Sequence, residues 1–150
     1  MAEAPIIIAQ MTSDDLQEVV KIEQETLSPW SLPQLEAELQ HAAGWQFVAR
    51  GAGKGNIVGY VCGKQVAGEA EIYRIAVAMA SRRQGVASAL LDHALQFLAG
   101  TGVTRYYLEL RVSNVPAKHL YAKYGFVEST VRKNYYSNPQ EDAVVMGKFN

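Results

Sequence analysis

The sequence predicts an α/β fold: a mixed, mostly antiparallel central sheet flanked by helices, in the order β-α-α-β-β-β-α-β-α-β-β. Three observations point to it. Apolar residues recur with period two in some stretches and with helical spacing in others. Three strand-like runs follow one another across short turns, which makes an antiparallel meander. The last of these runs, a helix and a further strand form a β–α–β unit over 69–111, whose strands lie parallel with a right-handed crossover. The 150 residues hold no linker, repeat or low-complexity stretch, so one domain over 1–150 is expected.

The apolar run Pro5–Met11 reads as the first strand. In TSDDLQEVVKIEQETL, Ser13 is the candidate cap, and the aspartates behind it suit the positive end of a helix. Leu16, Val19, Val20, Glu23 and Leu27 follow helical spacing, with Glu23 the polar exception, so a helix is expected over 14–27. SPWS (28–31) breaks it, and SLPQLEAELQ restarts a helix with Ser31 as cap and Pro33 in the first turn. GWQFVAR (44–50) alternates, with Trp45, Phe47 and Ala49 on one side. GAGKGN (51–56) is a turn, and IVGYVCGKQV (57–66) and EAEIYRIAV (69–77) are β-rich.

QGVASALLDHALQFLAG (84–100) is the clearest helix. Val86, Leu90, Leu91, Ala94, Leu95 and Leu98 line one face, and Gly100 is the candidate left-handed cap. TRYYLELRV (104–112) is a strand, and NVPAKHLYAKY (114–124) is a short helix ending at Gly125. FVESTVRKNYY (126–136) and DAVVMGKF (142–149) are the closing strands.

Composition narrows the function. Hydrophobic residues make up 49% and charged residues 19%, an ordinary globular mixture. A net charge of −1 argues against a direct nucleic-acid partner, which favours a basic excess. No apolar run approaches the roughly 20 residues that cross a bilayer. The start, MAEAPIII, lacks the basic region of a signal peptide, so no membrane partner and a cytoplasmic location are expected. Cys62 stands alone mid-strand, which leaves no disulfide framework and favours a buried thiol. His41, His93 and His119 are scattered, so no metal site is expected. GAGKGN lacks the spacing of a phosphate-binding P-loop and reads as a hairpin turn.

One short stretch carries more. In RRQGVASALL (82–91) a helix begins just past the end of a strand, inside the β–α–β unit, where ligand crevices form. First-turn N–H groups lack intrahelical partners, and the dipole adds positive potential, a combination that binds phosphate. Gly85 and Ala87 let a ligand approach the backbone, and Arg82 and Arg83 add charge suited to a diphosphate. Read alone, the stretch is equally a helix start with solvated arginines.

RRQGVA after IYRIAV resembles the acyl-CoA pyrophosphate loop, [Q/R]-x-x-G-x-[G/A], of the GNAT superfamily of N-acetyltransferases. SPWS, YLELRVSNVPAKHLYAKYGF (107–126) and RKNYYSNPQEDAVVMGK (132–148) narrow the likeness to the bacterial ribosomal-protein alanine N-acetyltransferases, the RimI type. The resemblance implies the GNAT fold and acetyl-CoA as co-substrate. The backbone of Arg83, Gln84, Gly85, Val86, Ala87 and Ser88 would hold its diphosphate, with charge from Arg82 and Arg83. Ile75, Ala76 and Val77 would pair with the pantetheine arm, and Asn114 would touch the cofactor, although Asn114 equally suits a helix cap. Ala87 stands where glycine is commoner, and AVAMASRR lacks the family's acidic–proline turn.

The same likeness makes Glu109 the base and Tyr121 the acid that protonates the departing thiolate. On the residues alone, Glu109 is also an outward strand carboxylate and Tyr121 a packing residue. The implied acceptor is the N-terminal alanine of small-subunit ribosomal protein 18, with tRNA-modification proteins as further partners by resemblance. Glu23, Glu25, Glu69, Glu71 and Glu109 are acids that could face a basic peptide, and Trp30, Tyr135 and Tyr136 are candidate walls of its slot. Each has a plainer reading as a solvated or core side chain. A lysine or small-molecule acetyltransferase and a non-catalytic acyl-CoA-binding module are the alternatives.

Overall fold

The computed structural model describes residues 6–51 and 55–150. The tip of the GAGKGN turn and Pro5 lie outside the described residues. Seven strands form one sheet in the order β1-β2-β3-β4-β5-β7-β6. They are β1 (Ile7–Gln10), β2 (Gly44–Arg50), β3 (Ile57–Val66), β4 (Glu69–Val77), β5 (Arg105–Arg111), β6 (Val127–Tyr136) and β7 (Glu141–Phe149). The α-helices are α1 (Leu16–Glu23), α2 (Leu32–Gln40), α3 (Val86–Gly100) and α4 (Val115–Lys123). β4 and β5 run parallel and the other neighbours antiparallel, as the sequence predicts. No described helix is long and apolar enough to cross a membrane.

Local chemistry sets the element ends. Thr12, not Ser13, opens the first helical segment: its extended backbone (φ −122°) leads into a capping box in which its N–H donates to the Asp15 carboxylate at 2.8 Å. α1 stops at Glu23 rather than running to Leu27, which is left exposed: the Glu23 carbonyl accepts from the Thr26 N–H at 2.9 Å and the Thr26 hydroxyl at 2.7 Å, three residues on, instead of continuing the α-helical ladder. Ser31 caps α2, accepting from the Gln34 N–H at 3.3 Å. Ala67 and Gly68, both at positive φ (52° and 82°), make the tight hairpin between β3 and β4. Gly100 stays inside α3, and the left-handed position after the helix falls to Gly102 (φ 96°).

Two apolar clusters cover the two faces of the sheet. Trp45, Phe47 and Ala49 point with Leu108 and Leu110 toward Val86, Leu90, Leu91, Ala94 and Leu98 of α3. Val48, Tyr60, Cys62 and Ala76 point the other way, against Val19 and Ile22 of α1 and Leu35 of α2. The predicted alternation of β2 therefore holds, but with both faces covered, residues 45–49 are all buried. Cys62 is buried as expected, and that burial pushes its thiol pKa up. His93 packs edge-on against Phe47 at 4.7 Å, and the His41 ring accepts the Ala43 N–H at 3.1 Å, both structural roles.

Candidate active site

The site begins where two parallel strands part. β4 and β5 pair from Glu69↔Arg105 only as far as Ile72↔Leu108. On its other side β4 stays paired with β3 as far as Val77, with a bulge that inserts Tyr73 between Arg74↔Cys62 and Ile72↔Gly63. The bulge needs glycine at 63: a Cβ there would lie 1.9 Å from the Glu71 carbonyl oxygen and 2.4 Å from the Trp45 ring. β5 stays with β7 along its whole length. Past Ile72, then, β4 has a sheet edge facing the gap with no ladder partner. Ile75, Ala76 and Val77 lie on that edge, which an extended ligand can join as an added strand.

The predicted anion socket lies at the head of the gap. Gly85 is not in the first helical turn, as the sequence suggested, but caps α3 with left-handed backbone (φ 80°, ψ 12°) and no side-chain cap bond. This conformation explains the glycine. A Cβ at Gly85 would meet nothing within 4 Å, so the space before the helix is open. The N–H groups of Val86, Ala87 and Ser88 begin α3 there, although the Val86 side chain itself is buried in the core. Arg83 and Gln84 are exposed beside them, and Arg82 reaches back to the Val77 carbonyl at 3.4 Å. Arg83 also sits at positive φ (63°), unusual for a non-glycine residue and a form of strain that clusters at ligand sites.

Below the gap lies a cleft of about 750 Å³, lined by Trp30, Glu71, Glu109, Tyr135 and Tyr136 among others. The structure thus gathers Glu109, Glu71 and the three predicted aromatic walls on one surface. Strict alternation would separate Tyr135 from Tyr136. They share the cleft because β6 breaks register between Arg132↔Ala143 and Tyr136↔Glu141, with Asn134 left-handed (φ 54°) in the break. The two rings meet edge to face at 5.0 Å. Burial, with lesser effects from Tyr135 and Glu109, pushes the Tyr136 phenol up to about 12. Tyr135 is raised first by its side-chain hydrogen bond to Glu109.

Tyr121 is not on the cleft wall. It is buried on α4, edge-on to Phe126 at 5.7 Å, and burial raises its phenol, with a lesser push from Tyr136. Asn114 caps α4 by accepting the Ala117 N–H at 3.2 Å.

Two of the five acids are not groove residues. Glu23 is fully buried and accepts from Tyr60, Arg74 and the Trp30 N–H, the last at 2.7 Å. It fixes Trp30 in place, with the Arg74 guanidinium stacked 5.1 Å from the indole. Glu25 accepts the Met79 N–H at 3.0 Å and ties the α1–α2 loop to the turn after β4. Glu69 pairs loosely with Arg105 at 3.8 Å and, like Glu71, lines the cleft.

Three arginines escaped the sequence reading. Arg74 is described above. Arg132 donates to Glu109 at 2.6 Å. Arg111 stacks 4.6 Å from Tyr136 and donates to the Pro139 carbonyl (2.8 Å), Glu141 (3.2 Å) and Ser28 Oγ (3.2 Å), clasping the α1–α2 and β6–β7 loops together. Its place beside Glu109 on the outward face of β5 was the available signal.

The sequence profile of the Acetyltransferase (GNAT) family matches residues 12–126. The chain belongs to the GNAT acetyltransferase family. Acetyl-CoA is the donor GNAT acetyltransferases use. The [ribosomal protein bS18]-alanine N-acetyltransferase of Escherichia coli is 39% identical over 94 residues, 61% of this chain and 64% of that protein, so the match spans just under two thirds of that relative. The Haemophilus ducreyi protein of the same name is 31% identical over 95% of this chain and 99% of its own length. Among solved structures, this GNAT chain is similar to the ribosomal-protein-S18-alanine N-acetyltransferase from Escherichia coli (TM-score 0.88, 32% identity, 97% of this chain and 94% of that one). It is also similar to Ard1 from Thermoplasma volcanium (TM-score 0.88, 29% identity, 96% and 97%). The GNAT fold with its mixed seven-stranded sheet is therefore the one the resemblance implied.

Proposed function

We propose that this protein transfers the acetyl group of acetyl-CoA to the α-amino group of an N-terminal alanine, with ribosomal protein bS18 as the acceptor to which the relatives' names point. The observation that carries this reading is the continuity of the site. A helix terminus without a side-chain cap, an unpaired strand edge and a carboxylate-bearing cleft follow one another along one gap between β4 and β5.

The residues present suit the donor. The open space at Gly85 and the first-turn N–H groups of α3, with Arg82 and Arg83 beside them, would take its diphosphate. The backbone of Ile75, Ala76 and Val77 would align the pantetheine arm, and an N–H near Val77 would polarise the thioester carbonyl. Asn114 would reach the donor only insofar as its cap bond leaves it free.

On the acceptor side, Glu109 takes a proton from the incoming ammonium, directly or through one water. An α-amino group titrates near about 8, so a modest base is enough. The amine then bonds to the acetyl carbon as the carbon–sulfur bond breaks, and the thiolate takes its proton from Tyr121. The new amide nitrogen sheds its remaining extra proton through solvent, which returns the Tyr121 phenolate to the phenol. Burial holds the Tyr121 phenol protonated, as an acid in waiting must be. Trp30, Tyr135 and Tyr136 wall the slot and Glu71 offers charge to a basic residue further along the peptide. The loop clasp through Ser28 and Arg111 bounds the slot on one side, which suits a chain end better than a side chain projecting from mid-peptide.

Thiol release from acetyl-CoA, followed by mass spectrometry, tests this. One peptide carries a free alanine terminus, and the other is N-blocked with an internal lysine. Turnover of the first alone is expected. Turnover of the lysine peptide alone would make the protein a side-chain acetyltransferase, and no release with any amine would make it a non-catalytic acyl-CoA binder.

A further inference from the structure

One oxygen of Glu109 in the acceptor cleft already carries a cation. Arg132 Nη1 donates to Glu109 Oε1 at 2.6 Å, and the guanidinium lies 4.8 Å from the Tyr135 ring centre. Both side chains line the acceptor cleft. An ammonium that approaches Glu109 from the cleft meets this guanidinium as a competing cation for Oε1. The arrangement makes the exchange easy. The Arg132 side chain is 56% exposed and that of Glu109 26%, the regime in which an ion pair contributes little net stability. Arg132 stands on β6, the sheet's edge strand, whose residues 127–135 are exposed. Its stem can therefore swing outward with the loss of the Tyr135 contact but without disturbing the buried core.

We infer that Arg132 is a displaceable counter-ion for Glu109: its guanidinium holds, in the free protein, the position that the acceptor's ammonium takes, and leaves when the acceptor enters. The inference rests on the assignment of Glu109 to the acceptor amine. It adds a condition on the ligand. Only a cationic amine replaces the guanidinium on equal electrostatic terms, so a blocked terminus has nothing to offer in exchange. The exchange is one cation for another, and the net charge of the cleft is unchanged by it. Arg132 thus acts through Glu109 as a positioning residue, keeping the carboxylate turned into the cleft before substrate arrives.

Two measurements test it. In steady-state kinetics with an alanine-terminal peptide, Arg132→Gln removes the competitor, and the acceptor KM should fall roughly threefold to fivefold, the scale of an exposed ion pair. The gain in kcat/KM should sit in KM, and Arg132→Lys should restore the wild-type value. An acceptor KM that is unchanged or higher in Arg132→Gln overturns the inference. Independently, the Arg132 Nε–H resonance in ¹⁵N-arginine-labelled protein, assigned by its absence from Arg132→Lys, should move on adding L-alaninamide but not N-acetyl-alaninamide. A resonance indifferent to L-alaninamide also overturns it. A resonance that moves while the alanine-terminal peptide is not acetylated would instead defeat the acceptor reading and leave the exchange standing.

Discussion

The Ser28 hydroxyl donates to the Ser137 carbonyl at 3.0 Å and joins loops 109 residues apart in the chain. Ser28 lies between α1 and α2, Ser137 between β6 and β7, and both line the acceptor cleft. Arg111 reinforces the contact by donating to Ser28 Oγ and to the Ser137 carbonyl, at 3.2 and 3.3 Å. Ser28→Ala removes the contact and leaves the arginine in place. A net hydrogen bond is worth about 0.5–1.5 kcal/mol, so the acceptor KM should rise about twofold to tenfold. The KM for acetyl-CoA should not move. Kinetics with each substrate varied in turn decide this, and equal changes in both constants would remove the clasp from acceptor binding.

Glu23 has a different weight. Its carboxylate is fully buried and holds Arg74, Tyr60 and the Trp30 backbone at once. Removing one partner of a buried ion pair strands the other, at a cost of about 3–5 kcal/mol. Glu23→Ala should therefore lower unfolding stability by that amount in urea titrations. Glu23→Gln should lose less, because its amide oxygen can still accept from Trp30. A loss of under about 1 kcal/mol in Glu23→Ala would mean that water replaces the carboxylate, as at an exposed ion pair.

The two glutamates mark what the sequence could and could not tell. Period and punctuation located every element, because a strand buried on both faces and a capped helix each leave a local signature. The special backbone at Gly85 was legible for the same reason: a glycine at a helix start is a local anomaly. Glu23 was legible only as an exception in an apolar stripe. Its partners lie 37 and 51 residues away, and spacing along one helix cannot report them. The shared facing of Tyr135 and Tyr136 depends on the register break in β6, which no alternation rule foresees, and the pairing of Glu109 with Arg132 joins residues 23 apart on different strands.

Gly85 separates conformation from space. Its φ of 80° favours glycine, and any other residue there costs about 1–2 kcal/mol. No described atom lies within 4 Å of a Cβ at this position. Gly85→Val should therefore fold with a modest loss of stability, yet place its branched side chain where the diphosphate would lie. Calorimetric titration with acetyl-CoA should show affinity reduced at least tenfold. Equal affinity in folded Gly85→Val protein would mean that the donor does not approach this helix terminus.

Tyr121→Phe tests the proposed acid. The ring packs edge-on against Phe126, and phenylalanine keeps that contact. Stability and acetyl-CoA affinity should hold while kcat falls by about 10²–10⁴, the range for loss of a general acid. Because burial raises the phenol's pKa above its ordinary value, the wild-type kcat should show no loss from Tyr121 ionising below about pH 10. An unchanged kcat in Tyr121→Phe would leave Tyr121 a packing residue.

Burial also sets how the fold responds to base. Cys62, Tyr60 and Tyr121 are all buried, and desolvation pushes each pKa above its ordinary value. The unfolded chain therefore releases protons at a pH where the folded chain keeps them. With folded pKa values raised, the full contribution to stability is present below the unfolded pKa and shrinks as pH rises past it. The thiol acts first, from about pH 8.5, and the phenols join from about pH 10. Each group costs about 1.4 kcal/mol per pH unit once its unfolded form ionises. Urea midpoints should thus be flat from pH 7 to 8 and then fall, with Cys62 alone removing about 2 kcal/mol by pH 10. Cys62→Ala pays a fixed cavity cost at every pH but should flatten the decline between pH 8.5 and 10. An equally steep decline in that variant would place the proton release elsewhere than at Cys62.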